Sequence, residues 1–278
     1  MTQKEQTVNN ECELITQKDQ QRIRELTLMD DDFMTKCFDG DNESIELILQ
    51  IILHRQDLKV IEVKVQNVIK NLKGKSATLD VLAQDISGRV YNIEIQNENK
   101  GAKPKRARYH SSLMDANLLK AGQEEEELPE TYMIFITKKD KWGHNMPVYF
   151  IERMNLQTGK KFGDDAHIVY VNGAYRGNDP VGKLMHDFSC PNPDDMFYGL
   201  LAEQTRKYKD CDERSEHMGY IQEIREETRR TTIEKERELF ALRLLKKGKA
   251  SLEEIAEYTE FTMEQVQELA NRLKDIVA

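Results

Sequence analysis

Two carboxylates and an amide stand where they could act together on a phosphate group: Asp80, Glu94 and Gln96. The runs that carry them, Leu79-Asp80-Val81 and Tyr91-Asn92-Ile93-Glu94-Ile95-Gln96, read as strands over Ser76 to Gln84 and Val90 to Asn97. They are joined by Asp85-Ile86-Ser87-Gly88-Arg89, where Ser-Gly is a turn signal. Alternation along each strand gives one apolar and one polar face. Folding the hairpin brings Asp80 opposite Glu94 or its immediate neighbour, with roughly 5 Å between Cβ atoms. Like charges abreast repel unless a cation or proton lies between them, so the pairing favours a metal role over two solvated acids. Phosphodiester hydrolysis needs a cation to offset charge at the leaving oxygen and to generate a nucleophilic water. Carboxylates are the usual ligands of Mg²⁺, with Mn²⁺ as a substitute. Gln96, on the same side of the strand as Glu94, can orient water or a phosphate oxygen but brings no positive charge.

Other elements must hold this pair. A helix is expected from Asp39, with Asp39-Gly40-Asp41-Asn42 supplying caps, Glu43 in the first turn, and Ile45, Ile48, Leu49, Ile52 and Leu53 at helical spacing. Glu46, on an exposed side of that helix, is a candidate third metal ligand if the helix packs behind the hairpin, although a solvated helix residue is the more ordinary reading. Val60 to Val68 is rich in β-branched residues and reads as a further strand. After the hairpin, Lys100 to Arg108 holds five cations and no acid. Lys103, Lys105, Arg106 and Arg108 are candidates for gripping a nucleic-acid backbone, with Tyr109 beside them, although such a stretch is also an ordinary surface loop. A helix over about Lys105 to Ala121, an acidic loop at Glu124 to Glu127, and strands at Tyr132 to Thr137, Val148 to Ile151 and Ile168 to Val171 complete the expected α/β domain.

Beyond Asp194 the text turns helical and dense in both charges. The last segment, 250–278, outlines a small helix-turn-helix with caps at Ser251 and Thr262. It carries seven acids against Arg272 and Lys274. That balance disfavours contact with phosphates and points to protein contact or packing, including self-assembly into a homo-oligomer. The expected division is a polar segment 1–27, an α/β domain 28–200, a charged helical connector 201–249 and the helix pair 250–278. The 278 residues carry a net charge of −9, which is unlike a protein that coats nucleic acid non-specifically, so a DNA contact must be a local patch. Four scattered cysteines form no CxxC pair and read as reduced thiols. No apolar run is long enough to span a membrane and the start lacks a signal-like stretch, so a cytoplasmic protein is expected.

Taken together, Asp31-Asp32-Phe33-Met34-Thr35-Lys36, the helix Glu46 to Leu53, the two acid-bearing strands and Lys105-Arg106-Ala107-Arg108-Tyr109 resemble the PD-(D/E)XK nuclease family transposases, or recombination-promoting nucleases. The likeness covers about residues 28 to 200, more weakly through Met185-His186-Asp187-Phe188 and Pro193-Asp194-Asp195-Met196. It implies a restriction-endonuclease-like core, a mixed sheet flanked by helices, and a bacterial Mg²⁺-dependent DNA endonuclease linked to mobile elements or recombination. Asp80 then stands for the first motif acid, Glu94 for the second and Gln96 for the motif Lys, while Leu79 replaces the motif Pro. The alternative is a catalytically silent nuclease-fold protein that binds DNA or a protein partner.

Overall fold

The computed structural model describes residues 21–69, 71, 75–96, 102–209, 237–246 and 250–277. The chain divides into two compact units, Met1–Asp210 and Cys211–Ala278. In the first unit, α1 (Asp31–Phe38) and α2 (Asn42–Leu53) precede strands β1 (Val60–Ile69), β2 (Ala77–Asp85) and β3 (Val90–Gln96). Helix α3 (Pro104–Leu118) leads to β4 (Thr131–Thr137), β5 (Val148–Ile151), the short β6 (Met154–Asn155) and β7 (Lys160–Lys161), then β8 (Ala166–Asn172), α4 (Pro180–Ser189) and α5 (Gly199–Lys209).

Six strands form a mixed sheet in the order β1-β2-β3-β4-β8-β5. The meander β1-β2-β3 is antiparallel, β3, β4 and β8 run parallel, and β5 closes the far edge antiparallel to β8. The tight Asp85–Gly88 turn suffices for β2 and β3, with Gly88 N–H donating to Asp85 O and Gly88 at φ +82. The parallel β3–β4 pair needs a crossover, and α3 lies within it.

The polar face of β3 is covered, whereas β2 leaves Thr78 exposed and Gln84 half-buried. In β3 every residue from Val90 to Ile95 is buried, including Asn92 and Glu94. Strands inside a parallel array are covered on both sides, and that holds here. Register places Asn92, Glu94 and Gln96 abreast of Met133, Phe135 and Thr137, and these abreast of Ile168, Tyr170 and Asn172. Met133, Phe135 and Tyr170 pack with Ala107, Leu113 and Met114 of α3. The alternate residues Ile93, Ile95, Ile134, Ile136, Val169 and Val171 are equally buried and face away from that layer. Helices α1 and α2 pack on β1 and on each other, and α4 and α5 join them.

Helix α2 forms as its capping residues dictate. Asp41 accepts from Ser44 N–H at 3.1 Å, and Ile45, Ile48, Leu49, Ile52 and Leu53 are buried. The side chain of Lys209, at the end of α5, donates to the carbonyls of Arg24, Leu26 and Pro191, joining that helix to the start of the unit. Cys37 and Cys190 are buried free thiols.

In the second unit, residues 237–246 are helical, followed by α6 (Leu252–Thr259) and α7 (Met263–Val277). Ser251 and Glu254 form a reciprocal capping box, as do Thr262 and Gln265, and Glu260 turns the chain at φ +54. A small core of Ala241, Ile255, Val266 and Leu269 joins the three segments.

Candidate active site

The β2–β3 ladder runs from Gln84↔Val90 to Val81↔Ile93. One step further the register would pair Asp80 with Glu94, but there the Asp80 carboxylate takes the main-chain N–H of Ile95, Oδ2 to N at 3.0 Å. Strand β2 stays with β1 as far as Ala77↔Ile69, and β3 stays with β4 as far as Gln96↔Thr137. The two acid-bearing strands therefore part at Asp80. Across from it on β1, Gln66 adopts a left-handed conformation (φ +49) within an otherwise extended strand.

Glu94 is wholly buried and both its oxygens are engaged. Oε1 lies 2.6 Å from Nδ1 of His110 and accepts from Nδ2 of Asn92 at 3.1 Å, and Oε2 accepts from Arg106 Nη2 at 3.3 Å. Arg106 and His110 are one turn apart on α3, so both reach the same carboxylate. The other donor, Asn92, shares Glu94's side of β3. Gln96, two residues beyond Glu94 on that side, is half-buried at the end of the strand, and its carbonyl accepts from Lys138 N–H.

A third acid completes the group. Asp31, in the first turn of α1, hydrogen-bonds to Asp80, and its Oδ1 is a buried atom without a partner. Burial, then the charges of Asp31 and Glu94, push Asp80 up to about 8. Burial, then Asp32 and Glu94, push Asp31 up to about 6. Burial and mutual repulsion thus disfavour charge on both acids. The tyrosine hydroxyl of Tyr170, two strands from Glu94, is also buried without a partner and is pushed up to about 12 by burial and by Glu94.

The remaining expected residues fall in different places. Glu46 makes its contacts elsewhere: it accepts from Val60 N–H at 2.9 Å, from Lys59 Nζ at 3.1 Å and from Gln50 Nε2 at 3.4 Å, tying α2 to the start of β1. The helical carboxylate that lies beside Asp80 is Asp31 of α1. Lys103, Lys105 and Arg108 are exposed around the first turns of α3. Tyr109 is half-buried and donates to Lys75 O while accepting from Asn71, which binds α3 to the β1–β2 connection. Beside α1, a cleft of about 520 Å³ is lined by Asp30, Thr27, Lys138, Gly173, Arg176 and Ser189 among others. It opens where β4 and β8 end.

The family model of the PD-(D/E)XK nuclease family transposases matches residues 31–174, more than half of the chain. The chain belongs to this family. No curated protein and no solved structure matches it. The matched span begins at Asp31 and contains Asp80, Glu94, Gln96, Arg106 and His110. The mixed sheet flanked by helices agrees with the PD-(D/E)XK nuclease fold. Membership of this transposase family brings a nuclease-type function linked to mobile elements, and such nucleases typically use divalent metals. Among the described residues no helix is long and apolar enough to cross a membrane.

The donor set suits a hard divalent ion, being oxygen-rich with one buried carboxylate oxygen unpartnered. The three acids stand wider than a closed ligand cage: among the described residues, only the exposed Glu124, Glu125 and Glu126 bring three such atoms within 4.8 Å. His110 sets how Glu94 points. His110→Ala is expected to leave Glu94 Oε1 with Asn92 alone and to cost roughly 1–3 kcal/mol, while His110→Gln, which keeps an N–H donor, costs less. Urea unfolding of the two variants measures the difference, and equal midpoints would remove the role.

Proposed function

We propose that this PD-(D/E)XK nuclease family transposase is a metal-dependent endonuclease that hydrolyses DNA phosphodiester bonds, with Mg²⁺ or Mn²⁺ held by Asp80, Glu94 and Asp31. The observation that carries the reading is the buried, unpartnered Oδ1 of Asp31 next to two acids whose charges disfavour one another. A bound divalent ion supplies an activated water and offsets charge at the leaving oxygen. The chain's own groups do the rest. Gln96 hydrogen-bonds the water or a phosphate oxygen, and Asn92 and His110 keep Glu94 in place. Lys103, Lys105 and Arg108, exposed along the start of α3, grip the DNA backbone without reading its sequence. Tyr109 holds that helix to the β1–β2 connection.

The test is supercoiled plasmid incubated with the purified full chain and Mg²⁺ or Mn²⁺, with and without a chelator. Nicking or linearisation is expected with the metal alone, and Asp80→Ala abolishes it. Equal cleavage by the variant would place the chemistry elsewhere, and retention of DNA without cleavage across both metals would favour the silent binder.

A further inference from the structure

The acid-bearing strand offers an amide, Gln96, where a cation would be expected beside the carboxylates. Helix α3 brings one from the side. Arg106 Nη2 lies 3.3 Å from Glu94 Oε2, and the same guanidinium acts on Asp31 and Asp80, so one charge answers three acids. Both oxygens of Glu94 accept hydrogen bonds, and Oε2 accepts from Arg106 alone, so an ion drawn to Oε2 competes with the guanidinium for that oxygen. His110 is buried with its ring fixed on α3 and cannot easily leave. Arg106 can: its side chain is 41% exposed, and its contact with Glu94 is the longest of the three. Lys103 and Lys105, exposed in the same turn, mark the side from which a phosphate backbone approaches. A planar guanidinium with five donors suits a phosphate as well as it suits a carboxylate.

We propose that Arg106 is the cation the strand lacks at Gln96, holding Glu94 in the ion-free protein and passing to the substrate phosphate when a divalent ion takes the carboxylates. The idea rests on the nuclease reading above and assigns Arg106 a part beyond backbone grip. It couples loading of the ion to engagement of DNA, because the group displaced by the first becomes a ligand of the second.

Two measurements on the full-length wild type, Arg106→Ala and Arg106→Lys test it. Titration calorimetry with Mn²⁺ in the absence of DNA should show Arg106→Ala binding roughly 3–10-fold tighter than wild type, because a competing cation has gone. Plasmid cleavage by the same variant should fall about 100-fold in kcat, with Arg106→Lys recovering part of it. A residue that merely supported Glu94 would weaken both ion binding and turnover. Unchanged or weaker Mn²⁺ binding by Arg106→Ala overturns the proposal, as does unchanged cleavage beside an inactive Asp80→Ala. In that second case the nuclease reading stands. Absence of cleavage by the wild type removes the nuclease reading and the handover with it.

Discussion

Asp80→Asn should make the ion-free protein more stable in mild alkali while lowering DNA cleavage by about a thousand-fold or more, the scale of losing several kcal/mol of metal catalysis. The stability half follows from linkage. Asp80 sits at about 8 in the folded chain because burial and two neighbouring acids disfavour its charge, against about 4 in an unfolded chain. The folded protein therefore holds a proton that the unfolded protein gives up. The stability tied to that proton is complete below about pH 4 and drains away as pH rises through about 8. Asparagine does not ionise, keeps an oxygen for Ile95 N–H and can donate to Asp31. At pH 8.5 with chelator the variant should exceed wild type by roughly 2 kcal/mol, or several degrees in Tm, and near pH 4.5 the two should agree. Thermal melts from pH 4.5 to 9 measure this directly. Parallel curves would mean that Asp80 is not the proton-bearing acid. Added Mn²⁺ should stabilise wild type and not the variant.

The second large effect is expected at Asp85. Its buried carboxylate accepts from Ser87 N–H and Arg89 N–H through Oδ1, both at 2.9 Å, and from Tyr91 Oη at 2.8 Å and Arg89 Nη1 at 3.1 Å through Oδ2. Arg89 in turn donates to Glu130 at 2.7 Å. Asp85→Ala strands a buried phenol, two turn amides and part of a guanidinium, at a cost of about 3–5 kcal/mol. The hairpin that presents Asp80 and Glu94 then loses its anchor, so cleavage should fall along with stability. Urea midpoints should drop with little change in slope, and Asp85→Asn should lie between variant and wild type. A midpoint within error of wild type would show that the turn holds itself.

Much of this arrangement was legible in the residues. The hairpin register followed from strand alternation and a Ser-Gly turn, both local signals, and the capping of α2, α6 and α7 followed from side chains adjacent to the backbone they serve. What local pattern does not carry is long-range partnership. Helical spacing makes Glu46 a candidate ligand if α2 packs behind the hairpin, yet the start of β1 folds back and takes its carboxylate with Lys59 and Val60. Asp31 stands among Asp30, Asp31 and Asp32, where acids at a helix start are ordinary, and only the packing of α1 against β2 brings it to Asp80. The spacing of His110, one helical turn from Arg106, is the available hint of a shared target. The buried polar side of β3 was likewise invisible, because alternation alone does not tell an open sheet from one covered by α3.

The parting of β2 from β3 makes each acid's carrier answer to a different neighbour, β1 on one side and β4 on the other. Main-chain ladders thus set the gap between the two carboxylates, independently of whatever borders its mouth. A change confined to the exposed rim leaves the spacing of the two prongs as it is, because each prong answers to its own ladder.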